Sequence, residues 1–231
     1  MKKKKVWIPL ILGLVFLAGL CVALYQPIKQ HYLIPHHIEQ KNQKIMKQSS
    51  KDIDKNKKKN DLKYDYDSQN VQRVGETKPS KSVDPRYMNG MIIVPSVNIK
   101  LPILEGMSNT NLNYGAGTMK PHQQMGKNNY ALAGHHAYNE NALFTPLMHL
   151  PKHAKIYLTD KDKVYEYQTT KQFIVDKSQG QVINDVNNKK MVTLVTCTDV
   201  EGTKRLIIQG KLSHVYQSND APQSVAQQIN N

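Results

Sequence analysis

The sequence predicts a mainly β protein: a closed or nearly closed barrel of about eight strands, carrying only short helices. Three observations lead there. Beyond residue 85, short apolar runs alternate with turn residues at fairly even spacing. Helical periodicity in that region is confined to short pieces. The part before it has a different composition, with one long apolar run and then a charged, aliphatic-poor stretch.

The chain opens with MKKKK and continues VWIPLILGLVFLAGLCVALYQ, which is free of charge. At about 1.5 Å per residue, a helix of about twenty residues spans a hydrocarbon core of about 30 Å. The lysines before it predict a cytoplasmic N-terminus, with the rest of the chain outside the membrane. A cleaved signal peptide has a shorter apolar region, about 7–15 residues, so a retained single-pass anchor over residues 1–26 is expected. Cys21 lies in this run behind Leu20, a residue too large to precede a lipidated cysteine.

Residues 27–84 read as a polar stalk. KDIDKNKKKNDLKYDYDSQN has too few aliphatic residues to offset the entropy of ordering. A helix over residues 38–48 is nevertheless expected. His36 and His37 read as a solvated pair without further ligands at suitable spacing. Of the formal charge of +14, +9 lies in residues 1–85 and +5 in 86–231. A basic excess beside the apolar run points to a membrane surface and away from nucleic acid.

Residues 85–217 form the expected domain. MIIVPSVNIKLPILEG predicts two strands with prolines at edge or turn positions. SNTNLNYGAGTM is turn-rich, and NNYALAGHHA holds a strand ending at Gly134. ALFTPLMHLPKHAKIYL predicts a short helix or turn, then a strand near residues 155–158. VYEYQTTKQFIVDK alternates like a hairpin pair, and MVTLVTCT and RLIIQGKLSHV complete the set. The tail 218–231 is polar and expected to be loose. His149 and His153 are four apart, but Pro151 between them argues against a continuous metal-binding helix. These two, with His122 and His214, read as ordinary surface or packing residues.

Cys197 is the only cysteine beyond the apolar run and has no partner for a disulfide within its compartment. As a lone residue it would most often be a small buried hydrophobe. Its neighbours favour chemistry. It ends TLVTC, Arg205 stands a short loop away, and His135 ends another strand. A thiolate is a nucleophile, an imidazole can protonate a leaving amine, and a guanidinium can stabilise an oxyanion. The three residue types suffice for acyl transfer.

TLVTC with an arginine eight residues on, and AGH upstream, resemble the motifs of class A sortases; residues 88–215 carry the likeness. The resemblance implies an eight-stranded sortase barrel. It implies cleavage of LPXTG signals on surface proteins between Thr and Gly, followed by transfer to an amine of a lipid-linked peptidoglycan precursor. Cys197 would be the nucleophile, His135 the acid and then base, and Arg205 the oxyanion or substrate-backbone donor, with His136 a rim residue. By similarity Met119, Ala133, Val182, Ile183, Thr193, Val195 and Thr196 would line the substrate groove. Some members use calcium held by acidic residues before AGH and in the loop before TLxTC. Here the first segment has Lys120 and Lys127 and no carboxylate, and the later loop keeps only Asp185, so no cofactor or metal is expected. Three alternatives stay open. A pilin-type member would carry an aromatic after Asp84–Pro85, where Arg86 stands. A secreted cysteine peptidase would place its histidine after the cysteine. A wall-binding β-domain would make Cys197 incidental.

Overall fold

The computed structural model describes residues 4–29, 34–58, 62–67, 83–137, 139–198 and 202–230. By contacts the chain divides into residues 1–37 and 38–231. The first unit is dominated by α1 (Lys4–Ile28), a 25-residue helix. Its described large apolar side chains, Trp7 to Ile28, are exposed. Among the described residues no helix is long and apolar enough to cross a membrane. The expected spanning segment is therefore not a finding of the structure.

The second unit is a closed barrel of β1 (Met88–Val94), β2 (Ile99–Leu104), β3 (Ala116–Thr118), β4 (Asn129–Ala133), β5 (Lys155–Thr159), β6 (Lys163–Asp176), β7 (Met191–Cys197) and β8 (Lys204–Gln217). Around the barrel the order is β1-β2-β3-β4-β7-β8-β6-β5. Two neighbours are parallel, β2 with β3 and β4 with β7; the rest are antiparallel. Alternate residues point inward, as strand geometry requires. Ile92, Val94, Tyr130, Leu132, Val192, Leu194, Leu206 and Ile208 fill the interior.

The segment VYEYQTTKQFIVDK is one strand of 14 residues, not a hairpin. It pairs with β8 from Lys163↔Gln217 to Asp176↔Lys204. Irregularities at Glu166/Tyr167 and Thr169/Lys171 shift the alternation, and in sequence they mimic a turn.

Two parts expected to be loose are packed. α2 (Ile34–Met46), which overlaps the helix expected over residues 38–48, and α3 (Ser50–Lys57) lie in the stretch read as stalk. Ser49 caps α3 in a reciprocal box with Asp52. Ile45, Met46 and Ile53 are buried with Val83, Met88, Met91, Leu104 and Tyr114. Further on, Tyr66 donates to Glu105, and Asp65 O accepts from Met107 N at 2.5 Å. At the other terminus, α5 (Gln223–Asn230) buries Val225 and Ile229 against Ile93, Tyr157 and Val164.

Ile53 is fully enclosed on a helix of otherwise polar residues, so its packing can be tested in isolation. Ile53→Ala should destabilise the barrel by about 2–4 kcal/mol in urea unfolding, whereas exposed Lys51→Ala should change it by less than about 0.5 kcal/mol.

Candidate active site

The site is set by register. In the parallel pair, Asn129↔Met191 and Ala133↔Val195 keep a constant offset. Gly134 N donates to Val195 O at 3.0 Å, which carries the pairing one step further. His135 therefore comes level with Cys197, the last residue of β7. In the antiparallel pair of β7 and β8, Cys197 faces Arg205 directly. His135, Cys197 and Arg205 thus form a row across three adjacent chain segments, with the thiol in the middle. Inward-facing Leu132, Leu194, Leu206 and Ile208 fix the opposite parity for all three, so they share the outer face of the barrel wall.

The backbone before His135 is held by a close approach. Any Cβ on Gly134 would stand 2.4 Å from the Phe144 ring. Phe144 is fully buried, and its amide donates to His135 O at 3.1 Å. Ala137 N donates to the Thr145 hydroxyl at 2.7 Å just beyond. His135 itself is only 5% exposed. Burial, and then the Arg205 charge, lower its pKa from 6.5 to about 4. The imidazole is neutral near neutral pH. Adjacent His136 points elsewhere: its Nδ1 lies 2.9 Å from Cys197 O, so it holds the backbone at the end of β7.

Cys197 is half-buried and makes no disulfide. Arg205 Nη1 donates to Gly202 O at 2.8 Å and to Lys204 O at 3.3 Å. Gly202 has φ +65, and a Cβ there would lie 3.7 Å from both Arg205 Nη1 and Cys197 Sγ. The loop thus crosses close to both groups. Residues 199–201 of this loop lie outside the described residues.

The expected groove residues separate by parity. Ala133, Val195 and the row of three lie on the outer face. Thr193 shares that face but is fully enclosed, and its hydroxyl donates to Asn129 Oδ1 at 2.7 Å, which makes it a core position. Thr196 alternates toward the barrel interior and is 2% exposed; its hydroxyl has no described hydrogen-bond partner. The burial of both is not revealed by composition. Val182 and Ile183 are half-buried in a 3-10 turn between β6 and β7, and Met119 is half-buried after β3. Val182 O accepts from Asn129 Nδ2 at 3.3 Å and Gln209 Nε2 at 3.4 Å, which draws this turn over the outer face.

Asn129 is the organiser that the sequence reading missed. Its side chain binds Val182 O, Asn184 O and Thr193, and its amide donates to Asp185 Oδ1 at 3.2 Å. Asp185 also pairs with Lys120, and that hydrogen bond is the main cause of its lowered pKa. The only sequence signal for Asn129 is a polar residue opening a buried strand. Among the described residues, no group of three His, Cys, Asp or Glu could hold a metal. His214 instead stacks on Tyr216, with ring centroids 4.2 Å apart.

A thiol between a buried neutral imidazole and a guanidinium, on one face of a closed barrel, defines a cysteine acyl-transfer enzyme. Residues 92–213 match the family described as Sortase domain. The chain is 40% identical over 225 residues to sortase A of Streptococcus agalactiae serotype III (strain NEM316), covering 94% of this chain and 88% of the relative. It is 38% identical over 170 residues to sortase A of Listeria monocytogenes serovar 1/2a, covering 73% and 76%. The crystal structure of Listeria monocytogenes sortase A superposes with TM-score 0.58 at 37% identity, covering 62% of this chain and 97% of that one. The chain belongs to the sortase family, and its activity is that of a cysteine transpeptidase.

The buried His135 links the site to stability. Its folded pKa is depressed, so the unfolded chain binds more protons between pH 6.5 and about 4. Its contribution is complete above pH 6.5 and is lost as pH falls through that window, up to about 3 kcal/mol. His135→Gln should flatten the fall in unfolding free energy between pH 7 and pH 4.5, measured by urea titration at each pH. An unchanged slope would show that His135 is solvated.

Proposed function

We propose that the protein is a membrane-anchored housekeeping transpeptidase acting on LPXTG-type signals of surface proteins. The observation that carries this reading is the row of His135, Cys197 and Arg205 on one face, set by the β4·β7 and β7·β8 registers. His135 takes the proton of the Cys197 thiol, and the thiolate Sγ attacks the carbonyl carbon of the signal threonine. The carbonyl electrons move to oxygen, where the Arg205 guanidinium stabilises the charge. On collapse the Thr–Gly C–N bond breaks, and His135 delivers a proton to the departing amine. The signal remains as a thioester on Cys197. An amine of a lipid-linked peptidoglycan precursor then attacks it, His135 takes the proton, and the sulfur leaves.

A resting neutral His135 supports a division in which only a minor thiolate–imidazolium population reacts. Arg205 is engaged by Gly202 O, so substrate binding exchanges that carbonyl for the oxyanion or the peptide backbone. The exposed side chains of α1 and the charge-free run 6–26 support an anchor that places the barrel at the outer membrane-facing surface, with the N-terminus in the cytoplasm. The run Asp84–Arg86 supports the housekeeping reading over a pilin-assembling one. Asp84 accepts from Arg86 N at 2.9 Å and pairs with the Arg86 guanidinium at 2.6 Å, which commits it to a turn entering β1.

Incubation of the full chain with an LPXTG peptide should give an acyl adduct on Cys197 by mass spectrometry. Cys197→Ala should give none while keeping its fold, and Arg205→Lys should slow turnover by at least about tenfold, because an ammonium lacks the planar fork. Turnover by Cys197→Ala would remove the thiol mechanism.

The loop before β7 is held by Lys120 and Asn129 acting on Asp185, which supports activity without calcium. Transpeptidation should stay within about twofold between excess chelator and millimolar calcium. Lys120→Ala should lower it in both. A several-fold activation of the unmodified chain by calcium would overturn this reading.

A further inference from the structure

A second feature lies far from the row of reacting groups. A cavity of about 320 Å³ opens between the end of α2, the strands β1 and β2, the β5–β6 turn and α5. Its floor is apolar, formed by Met46, Met91 and Ile229. Its walls carry three lysines, Lys47, Lys100 and Lys161, and no carboxylate. Lys161 stands just before the start of β6, while Arg205 pairs with Val175 near its far end. At about 3.3 Å per residue, roughly 40 Å of strand separates the two.

The lysines are placed by the fold. Lys161 has a left-handed backbone, φ 69, that a bulky residue adopts only when held there. The Thr159 hydroxyl accepts from Lys161 N at 2.9 Å and donates to Lys163 O at 2.8 Å, which holds the turn. The ammonium then donates to Met46 O at the end of α2. That contact alone would make Lys161 a helix-capping staple between the N-terminal helices and the barrel. Lys47 and Lys100 have no such explanation, since neither has a described ion-pair or hydrogen-bond partner. Asp160, next to Lys161, and Asp52, close to Ser49 of the lining, are committed elsewhere. Asp160 pairs with Lys57 at 3.4 Å and accepts turn amides, and Asp52 is held by Ser49.

We propose that this cavity binds the phosphate group of a phosphate mono- or diester, whose carbon chain rests on the Met46, Met91 and Ile229 floor. Lysines serve a phosphate as point charges, and Lys161 keeps two of its three N–H donors for it. Burial lowers the pKa of Lys100, and burial and then Lys100 lower that of Lys161, which is the condition a bound anion relieves. The inference is independent of the transpeptidase reading, because no reacting group takes part.

The test uses the full chain in non-ionic micelles. One titration adds glycerol 3-phosphate; a second raises the share of phosphatidylglycerol against phosphatidylcholine in mixed micelles. Binding should saturate and should weaken at least about tenfold in Lys47→Gln/Lys100→Gln, the loss of two charge-assisted hydrogen bonds. Peptide cleavage by that variant should be unchanged, which shows that it folds. Lys51→Gln/Lys55→Gln, on α3, should bind like the unmodified chain. Saturation with glycerol 3-phosphate makes the ligand a free phosphate ester, and saturation with phosphatidylglycerol alone makes it a lipid headgroup. No saturation in either titration, equal weakening by the α3 pair, or the same response to sodium chloride at matched ionic strength overturns the proposal.

Discussion

The parallel pairing of β4 with β7 is the constraint on which the site depends. Parallel neighbours keep a fixed offset between residues, and here that offset carries His135 to the level of Cys197. An antiparallel arrangement of the same two strands would send their C-terminal ends to opposite ends of the barrel wall. A parallel pair needs a long crossover, and the crossover from β4 to β7 contains β5 and β6. Those strands close the other side of the barrel and support β8, which brings Arg205 to the thiol's second flank.

The electrostatics follow from this crowding. A guanidinium one strand beyond the thiol disfavours protonation of an imidazole that is already desolvated. Near neutral pH the imidazole is therefore uncharged. His136 contributes by a different route, since its ring nitrogen faces the carbonyl of Cys197 and steadies the strand end.

Much of the barrel was legible because turn residues punctuate apolar runs, and His135, Cys197 and Arg205 stood out because each ends or opens such a run. What escaped did so for physical reasons. Ile45, Met46 and Ile53 are few among many lysines, so composition averaged them into a solvated stalk, although three buried side chains anchor both helices. α5 was hidden in the same way behind glutamine and asparagine, with Val225 and Ile229 turned inward. Two irregularities in β6 broke its alternation and imitated a hairpin. Thr193 and Thr196 looked alike beside Cys197, but strand parity sends one to the outer face and the other inward.

The position of β8 also governs when the enzyme can come into being. It pairs with β6 along its whole length and with β7 along that strand's length, and it is the last strand made. Until it arrives, both partners present open edges, each a template for unwanted pairing. The pairing of β8 with β6 must also reach past β7, and loop closure has to precede it. The thiol at the end of β7 therefore has neither its guanidinium neighbour nor a finished wall while the chain is incomplete. On the proposed mechanism reactivity waits on the closing of the barrel, because a polypeptide halted before residue 204 carries Cys197 without Arg205 beside it.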